Sequence, residues 1–196
     1  LEPVAKGFRI GKKENKLGMR ASDTAELIFE NVEIPKENLI GVENEGFKQV
    51  MKILDGGRIA IAALSLGLAQ GALDASIKYS KQRKQFGKTL SEFQATQFKL
   101  AEMQTEIEAS RLLIYKAATM KDAGENINMA ASMAKLYASE VAVRASNEAV
   151  QIHGGYGFIK EFPVEKFYRD VKLLTIGEGT SEVQRMIIAK NLTKVL

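Results

Sequence analysis

The chain has 196 residues, 45% of them hydrophobic and 27% charged, with a formal net charge of +4. It holds no cysteine and one histidine, His153, which excludes disulfides, zinc–thiolate centres, cysteine nucleophiles and multi-histidine metal sites, and leaves a Ser-His-Asp triad a single possible base. The mild positive charge suits anionic ligands but falls short of what nucleic-acid binding demands.

Residues 1 to 35 differ from all that follow. Val4 to Ile10 and Glu26 to Ile34 are rich in Val, Ile and Phe, and the second run alternates in its latter half, which predicts two strands. The polar stretch Lys12 to Asp23 between them predicts a loop. Two strands alone bury little, so they read as the tail of a larger sheet. Leu1-Glu2-Pro3 is not the expected start of a natural protein, and the sequence reads as a piece of a longer one.

From Glu45 the periodicity becomes helical. Val50, Ile53, Ile61, Leu64, Leu68, Ala72, Ala75 and Tyr79 mark the expected apolar stripe of a helix over about 45–82. Its uncharged run from Ile59 to Leu73 is shorter than a membrane span and contains Ser65, Gln70 and two glycines; a helix buried on all sides in a bundle explains it better. Lys81 to Lys88, with Gly87, predicts an ordinary helix stop. Ser91-Glu92-Phe93-Gln94 fits a capping box opening a second helix, striped by Leu100, Met103, Ile107, Ile114 and Ala118 and ending near Gly124.

A third helix is expected over about 128–152. Met129, Met133, Leu136, Val143 and Val150 share one face, with the methionines as core filler, and Ala130, Ala134, Ala138 and Ala142 form a second, narrow face for close helix approach. The glycine-rich turn Gln151 to Phe158 follows, and Pro163 opens a short helix. Glu178 then lies between Gly177 and Gly179, just before Ser181-Glu182-Val183-Gln184, a second capping-box pattern. This loop reads either as a plain lead-in to a capped helix or as a carboxylate presented, with its own N–H, for proton abstraction beside a carbonyl. Three long and two shorter helices with short links predict a mainly α chain, an antiparallel helical bundle preceded by a short β remnant.

Four stretches together resemble the acyl-CoA dehydrogenase family: Arg83-Lys84-Gln85-Phe86-Gly87, Gln151-Ile152-His153-Gly154-Gly155, Pro163 to Asp170, and Glu178-Gly179-Thr180-Ser181. The likeness runs from Lys16-Leu17-Gly18-Met19-Arg20-Ala21-Ser22 to Ile188-Ala189-Lys190 and is closest to the short-chain, butyryl-CoA-like branch. It implies that residues 1–40 end a β middle domain and 41–196 form the C-terminal helical domain. It implies an FAD enzyme that desaturates an acyl-CoA between its α and β carbons, and that the isolated chain is inactive.

By the same resemblance, Glu178 is the catalytic base; a base used in another branch would come from the position of Gly57, which here has no side chain. Asp55, Arg58 and Gly179 would contact the acyl-CoA substrate, although Arg58 also reads as an ion-pair partner of Asp55 three residues away. Arg83, Phe86, Gln94, Gln151, Ile152, His153, Gly154 and Gly155 would meet the adenosine and pyrophosphate of FAD held by a neighbouring subunit. Arg83 and Gln94 also read as a helix stop and a helix cap, and His153 carries no chemistry of its own. Thr180, Ser181 and Glu182 would contact FAD as well, at a helix N-terminus suited to negative charge. The implied partners are an electron-transfer flavoprotein and further copies of the chain, as dimer or tetramer, without nucleic acid, membrane or metal. The implied location is the bacterial cytoplasm or the mitochondrial matrix. An acyl-CoA oxidase and a non-enzymatic helical module of the same fold are the alternatives.

Overall fold

A computed structural model describes residues 6–194. The hairpin pairs β1 (Phe8–Lys13) antiparallel with β2 (Ala25–Phe29), Phe8 opposite Phe29 and Arg9 opposite Ile28. The first strand runs later than expected, with Val4 outside the described residues. The second stops at Phe29 instead of reaching Ile34, because Asn31 turns to φ +52°. The loop between the strands docks on the helical part: the Met19 N–H donates to Asp170 Oδ1 at 2.6 Å and Arg169 donates to the Leu17 carbonyl.

Helices α1 (Gly46–Gln82), α2 (Gln94–Asp122), α3 (Asn128–His153), α4 (Val164–Asp170) and α5 (Ser181–Thr193) follow, with a small hairpin, β3 (Lys84–Gln85) and β4 (Lys88–Thr89), between α1 and α2. Cross-contacts fix their directions. Glu106 and Glu148 meet Arg144 and Lys99, so α2 and α3 are antiparallel; Glu140 and Asn128 meet Ser181 and Asn191, so α3 and α5 are antiparallel. The most extensive packing is between α1 and α3. These run parallel, with Tyr79 stacked on His153 and Ala62 in one cluster with Ala130, Ala134 and Ala138.

That close packing decides which faces are buried. On α1 the buried residues are Arg58, Ala62, Ser65, Ala69, Ala72, Leu73, Ser76 and Ser80, whereas Val50, Ile53 and Leu64 of the expected stripe are exposed. On α3 the narrow alanine face is fully buried, and Met129, Met133, Leu136, Val143 and Val150 are only half-buried. Small side chains let the two backbones approach, and Ser65, Ser76 and Ser80 satisfy their hydroxyls on carbonyls of their own helix. The expectation of all-round burial fails: α1 is long and apolar enough to cross a membrane, yet only 33% of its most apolar window is buried. Leu73, Met103, Ile107, Val141 and Leu174 build the main core.

Both expected capping boxes move. Thr89 and Glu92 form the first around the short turn Leu90–Glu92, and α2 opens at Gln94 after Phe93. At α5 the N-cap is Thr180, whose side chain accepts from the Val183 N–H. Ser181 and Gln184 are turned inward to other partners.

Candidate active site

Glu178 follows the short 3-10 turn Val171–Thr175 and takes φ +55°, with Gly179 at φ +92°. Two successive left-handed residues cannot continue a helix, and for Glu this conformation is uncommon. The turn is held from two sides. Gln184 Nε2 donates to the Glu178 and Gly179 carbonyls at 3.1 and 3.0 Å, and Lys135 Nζ of α3 donates to the Gly179 carbonyl at 2.7 Å. The Glu178 side chain is thereby laid against α1, where a Cβ built on Gly57 would meet its Oε2 at 2.5 Å. Oε2 is buried and has no hydrogen-bond partner among the described residues. An acceptor so placed is directed at something outside the described residues.

Arg58, 2% exposed, sits next to that contact. Its guanidinium pairs with Asp55, and Asp55 Oδ1 also accepts from Asn128 Nδ2 at 3.0 Å, which is backed by Asn191. The ion pair read from the three-residue spacing is therefore present. It leaves Arg58 Nε buried and without a partner among the described residues. Ser181 Oγ donates to Glu140 Oε1 at 2.7 Å, and the same carboxylate lies 3.7 Å from Arg185. Glu182 is exposed in the first turn of α5; hydrogen bonds from its own backbone N–H and from Thr180 hold its carboxyl below the usual range. Asp55, Arg58 and Gly179 to Glu182 thus gather about Glu178.

The remaining predicted residues lie elsewhere. Arg83 ends α1 with its guanidinium 5.3 Å from the centre of the Tyr156 ring. Together with Ile152, His153, Gly154 and Gly155 it lines a cleft of about 550 Å³. His153 is buried, stacked on Tyr79 at 4.2 Å, and its Nδ1–H donates to the Ala149 carbonyl; burial pushes the imidazole below its ordinary pKa and keeps it neutral. Gly154, at φ +58°, and Gly155 have no atom within 4 Å of where a Cβ would lie, so their backbone is open to close approach. Gln151 and Gln94 are exposed. Phe86 sits at the tip of the β3–β4 hairpin, 92% exposed, with Phe86 and Gly87 both at positive φ as a two-residue turn requires. That hairpin was not expected from the sequence, where the same residues read as a helix stop.

A cation, an aromatic ring and bare glycine backbone around an open cleft fit the adenosine and pyrophosphate half of a dinucleotide. Glu178 is remote from it. Gly57 lies in α1 and Arg83 caps its C-terminus, 26 positions apart by their numbering, about 39 Å at 1.5 Å per residue. The two clusters are therefore well separated along α1, the unpartnered carboxylate beside its N-terminal third and the cleft at its C-terminal end. Among the described residues no group of acidic or histidine side chains could hold a metal ion.

Three residues of the site escaped the sequence reading: Lys135, Gln184 and Asn128. Lys135 had a visible signal, since it is a lysine set among the small residues Ala131, Ala134, Ala138 and Ser139 on the closely packed face. Its side chain is wholly buried, and burial lowers its pKa to about 8.

Residues 44–193 match the family model described as "Acyl-CoA dehydrogenase, C-terminal domain". A probable acyl-CoA dehydrogenase of Bacillus subtilis is 54% identical over 188 residues, covering 96% of this chain and 50% of that protein. The caffeyl-CoA reductase–Etf complex subunit CarC of Acetobacterium woodii is 51% identical over 190 residues, covering 97% and 50%. The solved structure of butyryl-CoA dehydrogenase from Megasphaera elsdenii superposes with a TM-score of 0.96 at 51% identity, covering 98% of this chain and 50% of that one. The chain spans about half the length of the curated relatives it matches.

Proposed function

Because this chain belongs to the acyl-CoA dehydrogenase family, we propose that it works as the C-terminal half of an FAD-dependent enzyme that interconverts an acyl-CoA and its α,β-unsaturated counterpart, with Glu178 as the catalytic base. The observation that carries this reading is the buried, unpartnered Glu178 Oε2, held against Gly57 by a turn clamped on both carbonyls.

In the direction of desaturation, the Glu178 carboxylate accepts the α proton. Two features of the chain prepare it. The absent side chain at Gly57 leaves the carboxylate room beside α1, and the paired Arg58 puts a fixed positive charge next to the place where charge develops. The Glu178 N–H makes no main-chain hydrogen bond among the described residues and is free to meet a thioester oxygen. FAD, when bound, supplies the acceptor for the hydride from the β carbon. Arg83, Tyr156 and the Gly154–Gly155 backbone would hold its adenosine and pyrophosphate, and Thr180, Ser181 and Glu182 would flank it at the other end. The distance between the two clusters supports assembly of each active site from two copies of the chain, as a dimer or a tetramer.

The name of the Acetobacterium relative supports an electron-transfer flavoprotein as redox partner. It also favours a second reading in which the same site runs as a reductase. Glu178, protonated, would then deliver its proton to the α carbon. The likeness to the butyryl-CoA dehydrogenase supports a short acyl chain.

The test is Glu178→Gln in the full-length polypeptide. Gln fits the same space but cannot take the proton, so fold and flavin content should persist while turnover of butyryl-CoA falls at least about 100-fold, the scale of a positioned base. Activity within a few-fold of the parent would remove Glu178 from this role.

A further inference from the structure

Lys135 is an anomaly in the interior of the bundle. It is wholly buried on α3, and it makes no ion pair among the described residues. The charges about it come from every packed element: Arg58 on α1, Glu140 on its own helix, Glu182 on α5 and Glu178 in the turn. Burial, with repulsion from Arg58, outweighs the attraction of the three carboxylates, so a protonated Lys135 destabilises the fold. Its hydrogen bond goes to the Gly179 carbonyl, which already accepts from Gln184. Satisfying that carbonyl therefore does not require an ammonium in the core.

What the ammonium does supply is direction. Gln184 comes from α5, which follows the turn in sequence, and holds both of its carbonyls. Lys135 comes from α3, the helix packed against α1, and among the described residues is the only donor that ties the turn to that frame through Gly179. Gly179 is the residue after Glu178, and both have left-handed φ. Rotation about this pair would swing the carboxylate away from Gly57. We propose that Lys135 is a positioning residue for the reaction: its buried ammonium locks the Glu178–Gly179 turn against the α1–α3 frame and so aims the carboxylate. The inference rests on the reading of Glu178 as base.

The test compares the full-length protein with its Lys135→Met variant, which fills most of the same volume without N–H or charge. The expected result has three parts. Thermal stability is equal or higher, amide exchange of residues 177–180 is about tenfold faster, and turnover falls about 10- to 100-fold with KM changed less than threefold, the scale of a misplaced catalytic group. Should this variant not fold, Lys135→Leu, which likewise has neither N–H nor charge, is measured in the same way. Turn exchange unchanged from the parent overturns the proposal, whatever the turnover does. So does faster exchange with turnover kept within twofold. A parent that carries out no acyl-CoA desaturation or reduction removes the proposed function instead, and turn exchange in the variant then still decides whether Lys135 sets this geometry.

Discussion

The Glu178 carboxylate lies on Gly57: a Cβ added to that glycine would stand 2.5 Å from Glu178 Oε2 and 2.9 Å from Cδ. The two residues are 121 positions apart by their numbering, one inside a 37-residue helix and the other in a left-handed turn. The bare backbone of the first is the floor on which the second rests.

Gly57→Ala therefore separates stability from activity. The intruding methyl meets the far end of a flexible side chain, which can yield, and Ala improves helix propensity by about 1 kcal/mol. Stability should hold or rise slightly while the displaced carboxylate lowers turnover about 10- to 100-fold. Paired thermal melts and kcat measurements check this, and an unchanged kcat would show that the contact has no bearing on the reaction.

The same geometry allows the carboxylate to be moved to the helix. In a Glu178→Gly background, adding Gly57→Glu should restore a measurable fraction of turnover, because a side chain rooted at residue 57 starts where the present carboxylate lies. Restoration should be partial, since a base must sit within about 3 Å of its proton and the new carboxylate approaches from another direction. A double variant that binds flavin and acyl-CoA yet is no faster than Glu178→Gly alone would contradict the idea.

At the C-terminal end of α1, Arg83→Ala should weaken flavin retention and leave proton abstraction nearly intact. The guanidinium stacks on Tyr156 at the edge of the cleft, far from Glu178. Losing a charge-assisted contact worth about 1.5–3 kcal/mol corresponds to roughly 10- to 100-fold in affinity. Flavin content after dialysis, together with substrate α-proton exchange in flavin-saturated protein, reads the two effects apart. Unaltered flavin affinity would remove the cofactor role given to this end.

Lys135 also leaves a signature in the pH dependence of stability. Its folded-state pKa of about 8 lies below the ordinary 10.5. Between those values the unfolded chain binds a proton that the folded chain does not, so stability rises with pH across that window. The penalty is fully present below pH 8 and is relieved as pH approaches 10.5, by about 3 kcal/mol in all. The stability of Lys135→Met relative to the parent should therefore fall by that order between pH 8 and 10.5, since every other titrating group is common to both. A stability difference that does not change with pH would show that Lys135 titrates normally.

Much of this molecule is legible in its sequence. The helix over about 45–82, its stop before Arg83 and the glycine-flanked Glu178 all stand where the residues put them, because each is decided by neighbours within a turn or two of chain. The glycine-rich turn begins at Gly154, three residues later than expected. The errors were of another kind. Val50, Ile53 and Leu64 are the larger apolar residues of α1, yet Ala62, Ser65, Ala69 and Ser76 are buried, since close approach of α3 rewards small side chains and hydropathy alone does not reveal it. Thr180 caps α5 in place of Ser181 because Glu140, far back in the chain, takes the serine hydroxyl. The sequence by itself determined the helical elements, their order and the residues able to carry chemistry. Only the tertiary structure decided that Gly57 meets Glu178, that Lys135 is buried beneath Gly179, and that the cleft at Arg83 stands apart from the base. Those relationships join residues dozens of positions apart, and they depend on how close two helices can come once their side chains are small.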